Sequence, residues 1–210
     1  GYDHKRVCLM DADEFAADLD RARTLLQHAG GVAVTGYRAP SFSIDTRTPW
    51  AHHVLAEQGY AYSSSVAPVV HDHYGWPESP RFAWIPVQDS ALLELPVTTA
   101  RLAGRTLAAG GGGFFRLLPY AFSRWAIRQV NHANQPAILY FHPWEIDPDQ
   151  PRMTSAPLKS RLRHYSRVGA VEGKLERMLG DFRWDRIDHL VPTIAARLNE
   201  QKNARTEAKP

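Results

Sequence analysis

Cysteine is almost absent from this 210-residue sequence, because Cys8 is the single one. One thiol excludes an intramolecular disulfide framework and a cysteine-rich zinc site. Long apolar runs are absent too, and none approaches the ~20 residues that a membrane-spanning helix needs. We therefore expect neither a disulfide-stabilised domain nor a transmembrane segment.

Apolar and aromatic residues, by contrast, are plentiful enough for a folded core. The sequence is 44% hydrophobic and contains six Trp, eight Tyr and eight Phe, which excludes disorder as the overall state. Its length suits one globular domain.

Charge is distributed unevenly along the chain. Residues 152–210 contain 13 Lys and Arg against 7 Asp and Glu, whereas the remaining residues contain 12 against 15. No groove-binding motif and no basic patch interleaved with aromatic residues accompanies this excess. We interpret it as the solvated surface of basic helices and expect no nucleic-acid partner.

Two units of helix, glycine and strand follow one another near the N-terminus. A capping-box spacing at Asp11 and Glu14 predicts a helix, and a strand over 32–37 follows it. The pattern repeats with a helix that starts at Thr48 and a strand over 60–66. Alternating helices and strands are typical of an α/β domain with a parallel sheet.

The remaining elements are predicted from apolar periodicity and from glycine and proline positions. They are a long loop over 69–84, a strand over 92–97, a four-glycine turn at 110–113, a helix over 119–134, a strand over 136–141 and helices over 171–182 and 191–200.

Three predicted strands carry polar residues at or near their ends, where an α/β sheet or barrel opens its active-site mouth. Arg38 follows the first strand, the serine run 63–65 lies in the second, and His142 follows the most apolar one. A histidine directly after a buried strand, with Trp144 close behind, is a candidate general acid or base.

Other histidines and glycines carry weaker signals. The pairs His52-His53 and His71-x-His73 lack metal-ligand spacing, and adjacent side chains on a helix diverge. The four-glycine run is not followed by Lys-Ser or Lys-Thr, so a nucleotide site is not expected. A tight turn, or a backbone that approaches a ligand closely, explains these glycines better.

Six segments, in order along the chain, resemble the NodB-type polysaccharide deacetylases (carbohydrate esterase family four). The similarity is greatest to the branch associated with exosortase and exopolysaccharide loci. The segments are GYDH at 1–4, GYRAPSFSI at 36–44, GYAYSSSVAPVVHDHYG at 59–75, GGGFFRLLPY at 111–120, LYFHPWEIDPDQPR at 139–152 and LKSRLRHYSR at 158–167.

This resemblance implies a fold and a domain organisation. The implied fold is α/β, a distorted (β/α) barrel of the NodB and glycoside hydrolase–deacetylase type, incomplete at the N-terminus and followed by a basic helical C-terminal extension. The implied domains are a NodB-like domain without its first strand over 1–151, the family-specific helical extension over 152–200 and a flexible tail over 201–210.

The resemblance also implies an activity, the hydrolytic removal of N-acetyl groups from an N-acetylhexosamine-containing polysaccharide in exopolysaccharide biosynthesis. Such enzymes use a divalent metal, usually zinc, to activate a water molecule. An aspartate accepts the proton of that water, and a histidine protonates the departing amine. The expected partner is an N-acetylated polysaccharide or oligosaccharide. The expected compartment is the cytoplasm, with the periplasm or cell envelope as alternatives.

Catalytic and metal-binding roles carry over to three residues by this resemblance. His4 matches the second histidine of an H-x-x-x-H metal motif. Arg38 resembles the arginine that orients the base aspartate, and His142 resembles the histidine that acts as general acid. Ser63 departs from the pattern, because related sequences often carry Asp there.

Substrate-binding roles are implied for four more residues. Pro40 shapes the groove wall, and Tyr74, Trp76 and Trp144 offer stacking walls for sugar rings. Core packing is an equally good interpretation of these three aromatic residues.

By the same resemblance, the first histidine of the metal motif would immediately precede Gly1. The strand that bears the base and ligand aspartates would lie further upstream. We therefore expect the 210-residue chain alone to bind metal weakly and to turn over little substrate, because one histidine is not a zinc site. The alternatives are a non-catalytic carbohydrate-binding or assembly protein on the same scaffold and a related hydrolase of cyclic imides or ureides.

Overall fold

The computed structural model describes residues 1–71 and 74–207. They form two compact units, one made of Gly1–Pro96 with the residues from Asp185 onward, the other of Val97–Trp184. The helices are α1 (Ala12–Gly30), α2 (Ala51–Glu57), α3 (Gly112–Leu117), α4 (Tyr120–His132), α5 (Leu158–Tyr165), α6 (Val171–Asp181) and α7 (Ile187–Glu207), and the strands are β1 (Gly36–Tyr37), β2 (Tyr62–Ser63), β3 (Leu93–Glu94), β4 (Thr99–Leu102) and β5 (Arg105–Ala108). The predicted α/β class is confirmed, and closure into a barrel stays a prediction.

Three short parallel strands form the sheet of the first unit, in the order β1–β2–β3. Gly36 pairs with Tyr62, and Tyr62 pairs with Leu93. A side chain at position 36 would collide with the Tyr62 ring, since a Cβ there would lie 2.1 Å from Cζ. Glycine at this position therefore leaves room for the Tyr62 ring over the backbone of β1.

These strands are shorter than the runs predicted from the sequence, and each covers two residues. The residues next to the paired positions still bond across the sheet, as the amide of Ser64 does to the Tyr37 carbonyl at 2.9 Å, but further out three amides bond to side chains instead. The amides of Ser65 and Val66 donate to Glu94 Oε1 at 2.7 and 2.9 Å. The amide of Val34 donates to Gln27 Oε1 at 3.0 Å. The alternation of apolar residues in the sequence does not show which backbone amides bond to side chains, so it predicts strands that are too long.

Helix α1 begins as the sequence predicts. The Asp11 carboxylate accepts from the amide of Glu14 at 2.9 Å, and Glu14 Oε2 accepts from the amide of Asp11 at 3.2 Å, which completes a capping box. Gly31 ends the helix in the left-handed conformation, with φ of 64°. Phe15 and Leu19 anchor the helix in the core of the first unit, which also contains Tyr37, Ile44, Leu55, Val66 and Leu92.

In the second unit, β4 and β5 form an antiparallel hairpin in which Thr99 pairs with Ala108. Helix α4 lies within its predicted range, and its Ala126, Ile127 and Val130 are buried. Phe115, Ile127, Val171 and Met178 form a core cluster between α3, α4 and α6.

The segment 136–141 pairs less regularly than the strand predicted there. The amide of Thr98 donates to the Ile138 carbonyl at 3.0 Å, and the amide of Tyr140 donates to the Gly110 carbonyl at 2.9 Å. A Cβ at Gly110 would lie 2.6 Å from the Ile138 carbonyl oxygen. Part of the four-glycine run is therefore explained by the close approach of two backbone segments.

The C-terminal helices differ from the prediction in extent. Helix α6 closely matches its predicted range, whereas α5 lies where the sequence predicts no helix. Helix α7 continues to Glu207, so residues 201–207 of the predicted flexible tail are helical, since they include strong helix formers such as Gln, Lys and Ala. The boundaries predicted at 151/152 and 200/201 stay predictions. None of the helices described is both long and apolar enough to cross a membrane.

Candidate functional site

His142 lies at the start of a short 3-10 turn over Pro143–Glu145 in the second unit. The fixed φ of Pro143 suits the first position of such a turn. The amide of His142 donates to Glu145 Oε2 at 3.0 Å, and the ring Nδ1 lies 3.4 Å from the same oxygen. The imidazole is 58% exposed. One ring nitrogen thus faces a carboxylate while the ring is open to solvent.

Glu145 is buried and paired with Arg116 of α3. Its carboxylate is 3% exposed and the Arg116 side chain 2% exposed, with Nη1 at 3.3 Å from Oε1. A Cβ at Gly112 would lie 1.9 Å from Glu145 Oε2. The glycine at position 112 therefore makes room for the carboxylate, and α3 carries the arginine that binds it.

Trp144 belongs to an aromatic group that continues from His142. Its ring stacks on His164 of α5 at 4.0 Å between centroids and lies 6.0 Å from the His142 ring. The Arg116 guanidinium lies 5.0 Å from the centre of the same indole. Trp144 thus has protein partners on α3 and α5, and its predicted role in sugar binding stays a prediction.

The sequence points to His142 and Trp144 but not to Arg116 and Glu145. A signal for Glu145 exists, because it stands three residues after His142, at the spacing of a capping box. Arg116 and Glu145 are 29 residues apart, and no sequence pattern links them. Tertiary structure is needed to pair the two.

Arg38 lies directly after β1 in the first unit and is tied to Ser64. Its Nε donates to the Ser64 carbonyl at 2.9 Å, and its Nη2 donates to Ser64 Oγ at 2.7 Å. Ser64 Oγ in turn donates to the Leu95 carbonyl at 2.7 Å. These bonds fix the guanidinium against the segments that follow β2 and β3.

A buried polar cluster surrounds Ser63, where related sequences often carry Asp. Ser63 Oγ donates to Ser65 Oγ at 2.8 Å, and the Ser63 residue is fully buried. The carboxylate at this end of the sheet is that of Glu94, which the sequence reading did not single out. Its Oε2 lies 3.0 Å from Nε2 of His52, with the two side chains 0% and 3% exposed. His52 therefore faces a carboxylate in the core.

The remaining predicted substrate-binding residues of the first unit have different surroundings. Pro40 is buried. Tyr74 is half-buried, and its ring stacks on His71 at 4.0 Å and lies 5.9 Å from Phe42. Trp76 is half-buried and packs against the core of its unit, as the packing alternative expects. Tyr74 is thus part of an aromatic cluster, whereas Trp76 supports the core.

His4, the predicted metal ligand, is exposed in the first unit. Across residues 1–71 and 74–207, no three His, Cys, Asp or Glu side chains converge as a metal site requires. The donors described therefore do not fit a complete metal site, and His4 stays a predicted single ligand. Of the weaker pairs, His52 bonds to Glu94, and His73 lies outside the described residues.

A family model described as a domain of unknown function (DUF3473) matches residues 64–192, which is more than half of the chain. The chain belongs to the DUF3473 family. This family is associated with polysaccharide deacetylases, so the predicted relationship to the NodB-type deacetylases is confirmed. The matched range contains Arg116, His142 and Glu145, whereas His4 and Arg38 precede it.

This DUF3473 chain is also similar to a solved structure. That structure is described as the "Crystal structure of putative polysaccharide deacetylase from Mycobacterium smegmatis". The two are 20% identical, the TM-score is 0.47, and the match covers 95% of the chain. The chain spans 61% of the length of that structure. No curated protein matches the chain.

Proposed function

We propose that this DUF3473 protein is a polysaccharide deacetylase that hydrolyses the amide of N-acetylhexosamine units, on a distorted (β/α) barrel. Membership of a family associated with polysaccharide deacetylases supports this class of reaction. The resemblance to the exosortase and exopolysaccharide-locus branch supports an exopolysaccharide, or its precursor, as the substrate.

The observation that carries the proposal is the exposed imidazole of His142 beside the buried Glu145 carboxylate. Amide hydrolysis has to protonate the departing nitrogen, which is a poor leaving group without its proton. An ionised carboxylate only accepts hydrogen bonds, so Glu145 favours a proton on Nδ1 of His142. As the general acid, the ring also carries a proton on Nε2, which passes to the departing nitrogen and leaves the neutral imidazole protonated at Nδ1. Arg116 balances the charge of Glu145 and keeps the carboxylate in place.

We assign Arg38 to the orientation of a base aspartate, as the family resemblance implies. Its fixed bonds to Ser64 support such a role, because a positioning group has to be held rigidly itself. By the family resemblance we assign sugar contacts to Tyr74 in the first unit and to Trp144 in the second, since aromatic rings suit the apolar face of a sugar. In the first unit, the same resemblance assigns Pro40 and Trp76 to the walls of the groove.

A divalent metal, zinc by the family resemblance, is part of the proposal, with His4 as one ligand. Catalytic zinc usually takes three ligands from the protein. Among the residues that the structure describes, no three such donors converge. We therefore expect residues 1–210 to bind zinc weakly.

Substrate profiling of the full-length protein tests the proposed reaction. We expect acetate release from N-acetylglucosamine oligomers, none from matched glucose oligomers, and no ring opening of cyclic ureides. Ring opening of cyclic ureides alone would assign the protein to the cyclic-amide hydrolases. Oligomer binding without acetate release would make it a carbohydrate-binding protein on the same scaffold.

A further inference from the structure

Helix α5 of the second unit carries an open cavity of about 210 Å³. We call it the α5 pocket. It is lined by Arg152, Leu158, Arg161, Leu162, Tyr165 and Ser166. These residues lie in segments 139–152 and 158–167, which carry the family resemblance, but neither that resemblance nor the proposed deacetylation assigns a role to any of the six side chains.

Two guanidinium groups give the α5 pocket a positive charge. Arg152 lies 5.2 Å from the centre of the Tyr165 ring, and Arg161 reaches the pocket from α5 itself. In the part of the chain that the structure describes, neither arginine forms an ion pair with a carboxylate. Two cations at one cavity that form no ion pair among the described residues attract an anion.

Tyr165 holds the loop that carries Arg152 in place. Its hydroxyl accepts from the amide of Met153 at 2.8 Å and donates to the carbonyl of Pro151 at 3.2 Å. Both residues that flank Arg152 are therefore tied to α5. A guanidinium on a fixed loop loses less conformational freedom when it binds a ligand.

Apolar side chains form the other wall of the pocket. Leu158 and Leu162 are one helical turn apart, and they are 68% and 59% exposed. Large exposed apolar groups beside two cations suit a ligand with an anionic head and an apolar substituent.

We propose that the α5 pocket binds an alkyl phosphate ester. Arg152 and Arg161 hold the phosphate, while Leu158 and Leu162 contact the first carbons of its substituent. A phosphate monoester carries close to two negative charges at neutral pH and accepts forked bonds from guanidinium groups. Two arginines therefore match a phosphate better than a carboxylate, which carries one charge.

Direct binding to the full-length protein tests this site without any need for catalysis. The probes are octyl phosphate below its critical micelle concentration, glucose 1-phosphate and octanoate, each titrated by calorimetry. We expect octyl phosphate to bind most tightly, because it alone combines the dianion with an apolar chain. Glucose 1-phosphate should bind more weakly, and octanoate most weakly.

Variants of the pocket distinguish specific binding from general attraction. Arg152→Gln and Arg161→Gln should each weaken octyl phosphate binding roughly tenfold, the typical loss of a charge-assisted bond. Leu158→Ser should weaken octyl phosphate but leave glucose 1-phosphate unchanged. Arg177→Gln on α6, which removes an exposed arginine outside the pocket, is the matched control and should change neither.

Three results would overturn the proposal. Octanoate binding as tightly as octyl phosphate would show a carboxylate site. Equal losses in Arg161→Gln and Arg177→Gln would show nonspecific charge attraction. If a protein with a normal circular dichroism spectrum did not bind octyl phosphate, the α5 pocket would not be a phosphate-ester site.

Discussion

Replacing Glu145 by alanine is expected to lower the free energy of unfolding by about 3–5 kcal/mol, the typical cost of removing one partner of a buried ion pair. The Glu145 carboxylate and the Arg116 side chain are 3% and 2% exposed. Water therefore cannot readily solvate the Arg116 charge once the carboxylate is removed. The alanine also removes the acceptor of the His142 amide. Urea denaturation followed by tryptophan fluorescence measures the loss.

Two further variants show whether the buried pair is the cause. Glu172→Ala removes an exposed carboxylate from α6 and should change stability by less than about 0.5 kcal/mol. The double variant Glu145→Leu with Arg116→Met replaces the pair by apolar groups and should recover much of the loss. A Glu145→Ala protein as stable as the wild type would contradict the burial of this pair.

Replacing His142 by glutamine is expected to reduce kcat/KM for deacetylation by about 10²- to 10⁴-fold, the usual contribution of a positioned general acid. Stability should change little, because the imidazole is 58% exposed.

His53→Gln is the matched control for this substitution. His53 is an exposed histidine of α2 in the first unit, and its replacement should leave kcat/KM unchanged. A His142→Gln protein with wild-type activity on N-acetylated oligomers would show that His142 is not the general acid.

Local signals in the sequence are sufficient for the start of α1 but not for the sheet. Asp11 and Glu14 fix the start of α1 through contacts three residues apart, which periodicity and capping rules capture. The strands depend on partners far along the chain. The Glu94 carboxylate accepts from the amide of Ser65, 29 residues away in the sequence. The segment predicted as a strand over 60–66 therefore pairs with its neighbours over only two residues.

The candidate site shows the same division between local and distant information. His142 can be found from its position after an apolar segment, and Glu145 from its spacing to that histidine. Arg116 cannot be found in this way, since its role follows from α3 meeting the 3-10 turn in the folded unit. The family resemblance implies Asp at position 63, where this chain has Ser, and the fold places the Glu94 carboxylate at the same end of the sheet.

Acetate and free amine, quantified together after incubation of an N-acetylglucosamine oligomer with the full-length protein, test the deacetylase assignment most directly. We predict one acetate for each new amine, loss of both after dialysis against a chelator, and recovery on addition of zinc. A zinc-loaded, folded protein that binds the oligomer and releases neither product would contradict the assignment.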